Sequence, residues 1–136
     1  MALALTPHTH HVVARDWFEN VVDARSVVFC RSAQQAFLRL MTTAAVSASY
    51  GLPPLTNQQA WSTYETLLAD DRVVFQPREP AGLEPIWRRY SERKTASSTL
   101  WMDAYLAAFA RAGEYQFVTL DQGFKQFDGL DLVLLG

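Results

Sequence analysis

The chain has 136 residues, 49% of them hydrophobic and 19% charged, with a formal net charge of −2 and a pI near 5.9. That length suits a single domain over residues 1–136 and is too short for two. The acidic balance excludes nucleic-acid capture by bulk charge, and the single cysteine, Cys30, excludes an internal disulfide and suits a reducing cytoplasm. The start, MALALTPHTHH, lacks the basic region of a signal peptide, and no uncharged apolar run is long enough to span a bilayer. A soluble, cytoplasmic protein without membrane contact is expected.

Met1 to Leu5 reads as the inside of an element that Pro7 breaks. From His10 the apolar residues Val12, Val13, Trp17, Phe18 and Val21 fall near helical spacing. Ser26 to Cys30 is β-prone, and Ser32 is expected to cap a helix through Met41. Gly51-Leu52-Pro53-Pro54 is a loop. Thr56 or Asn57 then caps a helix over Gln58 to Ala69. Asp70-Asp71 turns the chain into a strand at Val73 to Phe75. A Pro-containing connection, Gln76 to Pro80, leads to a helix around Leu83 to Tyr90 and a polar, basic loop from Ser91 to Ser98. A helix from about Thr99 to Ala112 follows and stops at Gly113. The chain closes with a strand at Gln116 to Leu120, a helical turn at Gly123 to Phe127 and a strand at Leu130 to Leu135. Helices alternating with short apolar strands argue for an α/β fold with a mainly parallel central sheet covered by helices on both faces.

Two isolated acids stand out. Asp103 sits in the first turn of the otherwise apolar helix LWMDAYLAAFARA, and Asp121 ends the strand in QFVTLDQGF. Each has a plain structural explanation, since acids favour helix N-termini and cap turns. Sites in α/β sheets nevertheless form at the carboxyl ends of strands. Two carboxylates there could anchor a hard cation whose remaining positions go to water and phosphate oxygens. His8, His10 and His11 lack the partners a zinc site wants. In Arg88-Arg89-Tyr90-Ser91-Glu92-Arg93-Lys94, the cations Arg88, Arg89, Arg93 and Lys94 either form a solvated helix end or contact RNA phosphates. Neither a phosphate-binding glycine loop nor a nucleophile elbow occurs.

LWMDAYLAAFARA followed by FVTLDQGF resembles the paired C-terminal motifs of PIN-domain ribonucleases, in particular the VapC toxins of type II toxin–antitoxin systems. HTHHVVARDWFE, FCRSAQQAFLRLMTTAAV and AGLEPIWRRY agree with that subfamily, so the resemblance covers essentially the whole chain. It implies a PIN-like three-layer fold and a metal-dependent endoribonuclease using Mg²⁺ or Mn²⁺. It also implies a homodimer inhibited by a cognate antitoxin. Asp103 and Asp121 take the places of catalytic, metal-binding acids, and Thr119 matches a hydroxyl residue beside the site. Gln34 stands where many PIN domains carry Glu, which makes it a weak ligand or a neighbour. The family's first strand and its acid are absent, so the chain reads as N-terminally truncated and of reduced activity. The competing expectation is a catalytically impaired PIN-like module that binds antitoxin or RNA. A receiver-type domain fits less well, because Asp16, Glu19 and Asp23 are not adjacent.

Overall fold

The computed structural model describes residues 11–48 and 51–135. The readings of Met1 to Leu5 and Pro7, and with them the missing first strand, lie outside the described residues, as do His8 and His10. The elements run α1 (His11–Glu19), β1 (Val27–Phe29), α2 (Arg31–Met41), α3 (Ala44–Ala48), α4 (Asn57–Leu68), β2 (Val73–Phe75), α5 (Leu83–Ser91), α6 (Leu100–Ala112), β3 (Phe117–Thr119), a 3₁₀ turn (Gln122–Gln126) and β4 (Leu132–Leu134). Mixed helix and parallel strand is therefore the architecture. The described strands form two parallel pairs, β1 with β2 and β3 with β4. The chain divides into two compact units, Met1–Pro77 and Arg78–Gly136.

In the first unit, β1 and β2 pair in register from Val27 opposite Val73 to Phe29 opposite Phe75, with α2, α3 and α4 as the crossover between them. A parallel pair needs a connection of this kind, and its helices supply the core. Phe37 and Met41 of α2 pack with Ala60 and Tyr64 of α4, and Phe29 of β1 closes the cluster. Phe29 meets the Tyr64 ring edge-on at 5.5 Å. Truncating a side chain such as Phe37 to Ala in this setting costs about 3–5 kcal/mol. Thr56 starts α4 with a full capping box, its hydroxyl accepting from Gln59 N–H while Gln59 Oε1 accepts from Thr56 N–H. Such a cap is worth about 1 kcal/mol. The cap expected at Ser32 does not form. Cys30 holds the N-cap position of α2 without a side-chain bond, and the helix begins directly from the strand, with Gln34 N–H donating to the Cys30 carbonyl at 3.0 Å.

In the second unit, α5 packs on α6 through small residues. Ala104, Ala107 and Ala108 are fully buried, and Leu100 and Phe109 of the same helix are buried as well. β3 and β4 pair from Phe117 opposite Leu132 to Thr119 opposite Leu134. Residues 120–131 between them contain the 3₁₀ turn, whose Phe124 and Phe127 are buried. Phe124 stacks on Phe117 at 4.5 Å, and Phe127 lies 5.0 Å from the Tyr90 ring of α5. The apolar side of the turn is thus pinned, and its polar residues Asp121, Gln122 and Gln126 are exposed.

One polar cluster ties the end of α1 into the first unit. Arg72, just before β2, forks onto Asp70 through Nε at 2.9 Å and Nη2 at 2.7 Å. Its Nη1 donates to the carbonyls of Phe18 and Val21, and its guanidinium lies 3.8 Å from the Phe18 ring centre. The side-chain hydrogen bonds from Arg72 hold the Asp70 carboxyl down at about 2, against an ordinary 3.8. A depressed carboxyl stabilises the fold fully above its unfolded value and loses that contribution as pH falls through the folded value. Arg72→Met is therefore expected to speed hydrogen exchange at Asn20 and Val21 and to remove the part of acid destabilisation that falls between pH 3.8 and about 2. Lysine at the same position cannot replace the fork and should restore little of either. Unchanged exchange in both variants would remove Arg72 as the tie.

Candidate active site

Asp121 lies just beyond the carboxyl end of β3, with Leu120 between it and Thr119. Its Oδ1 accepts the Gly123 N–H at 2.8 Å and so caps the 3₁₀ turn. Its own N–H donates to Thr119 Oγ1 at 3.1 Å. The structural explanation for this acid is therefore real, and it engages one of the two carboxylate oxygens. Thr119 holds the backbone of Asp121 rather than presenting its hydroxyl freely. Gly123 completes the arrangement, because a Cβ there would stand 3.0 Å from Asp121 Oδ1.

Asp103 falls in the first turn of α6, after Thr99, whose side chain makes no capping bond. Its carboxylate is partly buried and accepts no hydrogen bond or ion pair from any described residue. Burial pushes its carboxyl above the ordinary carboxylate range, and the nearby charge of Asp121 pushes the same way. Of the two acids that sequence spacing singled out, Asp103 thus lies near enough to feel the charge of Asp121. A desolvated carboxylate beside a second one, with no partner among the described residues, is an anionic donor pair that fits a hard divalent cation. Among the described residues, no group of three or more His, Cys, Asp or Glu side chains converges as a larger cage.

Gln34 belongs to the first unit. It is buried on α2, and its Oε1 accepts from Arg31 Nη1 at 2.5 Å. Beside it lies the Tyr64 hydroxyl, buried and without a hydrogen-bond partner among the described residues. Burial raises the Tyr64 pKa, and the charge of Arg31 works against it.

The basic segment separates into unlike members. Arg88 pairs with Glu92 at 3.6 Å on the exposed face of α5. Arg93 instead donates from Nη2 to Gln126 Oε1 of the 3₁₀ turn at 2.6 Å. Arg89 and Arg93 line a cavity together, and Lys94 is exposed. Gln126 was not singled out from sequence, since no local spacing links it to an arginine 33 residues earlier.

An α/β protein with one acid at a strand end and a second, in the first turn of a helix, close enough to feel its charge is the class that fold and site define. No family model matches the chain. Ribonuclease VapC41 of Mycobacterium tuberculosis is 46% identical over 135 residues, covering 99% of this chain and 92% of the relative. Ribonuclease VapC29 of the same organism is 27% identical over 135 residues, covering 99% of this chain and 90% of the relative. The chain belongs to the VapC family.

Two tests follow from the acid pair. With its carboxyl raised, folded Asp103 keeps a proton at pH values where the unfolded chain, at 3.8, has released it. The ionised form therefore opposes folding, and stability declines as pH rises through the folded value. In chelator at neutral pH, Asp103→Asn is expected to melt higher than the parent, and the gap should close at pH values below 3.8. A variant that melts lower would make Asp103 a structural cap. The second test is Gly123→Ala, whose methyl group must displace Asp121 Oδ1 by a few tenths of an ångström. Divalent-cation binding, read by calorimetry, should weaken while the melting temperature moves little. Unaltered binding would show that the position of Asp121 does not matter to the cation.

Proposed function

We propose that this protein is a metal-dependent endoribonuclease, the toxin of a type II toxin–antitoxin system. Its identity with Ribonuclease VapC41 over nearly the whole chain supports the ribonuclease assignment. The single observation that carries the site is the desolvated carboxylate of Asp103, pushed up by burial and by the nearby charge of Asp121 and without a partner among the described residues. On this reading residues 1–136 form a single PIN-like three-layer domain, with a mainly parallel central sheet and helices on both faces. Asp103 and Asp121 are its catalytic acids and would hold Mg²⁺ or Mn²⁺. When bound, such an ion activates water and neutralises charge developing on the phosphodiester. Thr119 and Gly123 fix the direction of Asp121 through its N–H and Oδ1. Gln34, with its oxygen taken by Arg31, is a neighbour rather than a ligand in this scheme. Arg88, Arg89, Arg93 and Lys94 are the cations available to RNA phosphates. The partners are an RNA substrate and a cognate antitoxin, the working form is a homodimer, and the compartment is the cytoplasm. Among the described residues no helix is long and apolar enough to cross a membrane.

The test uses purified protein and total RNA with Mg²⁺ or with chelator. The parent should cleave only with the ion. Asp103→Asn and Asp121→Asn should each lose more than the roughly 10–100-fold that changes in a metal's outer shell cost. Cleavage by Asp103→Asn at the parent rate would end the nuclease assignment of this acid and favour the RNA- or antitoxin-binding module.

A further inference from the structure

The cavity lined by Arg89, Tyr90, Arg93, Gln126, Phe127 and Asp128 has a volume of about 110 Å³ and opens to solvent. We infer that it is a phosphate subsite, which grips the RNA backbone beside the scissile linkage by the guanidinium groups of Arg89 and Arg93. The inference rests on the ribonuclease reading for the identity of the chain it holds.

Charge is the first reason. Arg88 is compensated by Glu92, whereas neither Arg89 nor Arg93 has a carboxylate within ion-pair distance among the described residues. Arg93 spends one N–H on the neutral amide oxygen of Gln126, and a guanidinium carries five. One acid, Asp128, lines the same cavity, so the lining stays net positive. The main-chain carbonyl of Asp128 is held by the Tyr90 hydroxyl and, at 3.0 Å, by Arg111 Nη1.

Construction is the second reason. Gln126 is a strut, its Nε2 donating to the Gly123 carbonyl at 2.9 Å while its Oε1 receives Arg93. Tyr90 and Phe127 are buried rings that form a rigid floor. A planar, forked cation held in place matches a tetrahedral oxyanion bidentately, and the volume is room for several waters or one phosphate group.

Position is the third reason. Asp121 caps the 3₁₀ turn that ends at Gln126. At about 2.0 Å rise per residue, that turn sets the cavity roughly 10 Å from Asp121. A strand running from the acid pair to the cavity would place a neighbouring phosphate there, and the scissile one would stay with the acids.

The test measures binding of a fluorescent, mixed-sequence single-stranded RNA to the full chain in chelator across a salt series, so that no cleavage occurs. Each phosphate contact on a single strand contributes about −0.7 to the slope of log Kobs against log salt. Arg89→Gln and Arg93→Gln should each weaken binding and make the slope shallower by about 0.7, with Arg15→Gln, whose arginine pairs with Glu19 in the first unit, as the unchanged control. Gln126→Glu separates this role from a structural one. It keeps an acceptor for Arg93 and makes that bond charge-assisted while losing the Nε2 bond to the Gly123 carbonyl, so stability should move little. It should nevertheless lose RNA affinity as Arg93→Gln does, because it compensates the guanidinium charge. Parent-like affinity in Gln126→Glu, or parent-like slopes in both arginine variants, would overturn the subsite. So would polyglutamate displacing the RNA as well as polyuridylate does, since any acidic chain would then suffice. If Asp103→Asn cleaves like the parent while the arginine slopes still fall, the nuclease site fails and the subsite stands.

Discussion

A carboxylate that folding desolvates, with no partner among the described residues, is the constraint around which the second unit is organised. Asp103 enters with the buried alanine face of α6, and the next charge it meets is another acid. Neither feature stabilises the polypeptide. Both raise the free energy of the ionised form, and the surrounding residues must offset that through apolar burial. The packed rings of Phe117, Phe124 and Phe127, together with the α5–α6 contact, supply apolar burial in the same unit as the acids. Perturbed carboxylates of this kind cluster at functional sites, which is why the pair supports the proposed cation site.

Capping and site chemistry do not compete at Asp121. The Gly123 N–H takes Oδ1, and Thr119 takes the main-chain N–H, so the carboxylate is oriented by two local bonds. A carboxylate free to rotate would lose entropy on binding an ion; this one has lost it on folding. The cap is the means by which the acid is aimed.

Much of this was legible in the sequence because it depends on local spacing. Val73 to Phe75 emerges as β2 with the expected bounds, Thr56 caps α4, and Gly113 ends α6. Asp103 and Asp121 could be singled out because an acid in an apolar helix and an acid at a strand end both break the surrounding pattern. The misses have physical causes. α3, at Ala44–Ala48, is short and built from small residues, so it carries almost no periodic signal. Ser32 looked like a cap, but a helix that leaves a strand directly closes its first turn on the Cys30 carbonyl and needs no side chain. The split between Arg88 and Arg93 was half visible, since Glu92 stands four residues beyond Arg88. The bond from Arg93 to Gln126 joins distant segments, and no local pattern encodes it.

Net charge bears on how such a site would meet its substrate. At −2 overall, the protein's field repels RNA at long range, and the acid pair adds to that repulsion where contact must occur. Capture therefore has to rest on short-range, directional cations, and these are strongest where a guanidinium is fixed before the substrate arrives. Arg93 is fixed by Gln126, and Gln126 is fixed through Gly123 on the turn that Asp121 caps. The element that aims the acid also braces the cation. A displacement of the 3₁₀ turn would move both together, which keeps their spacing constant and couples substrate grip to the geometry of the acids.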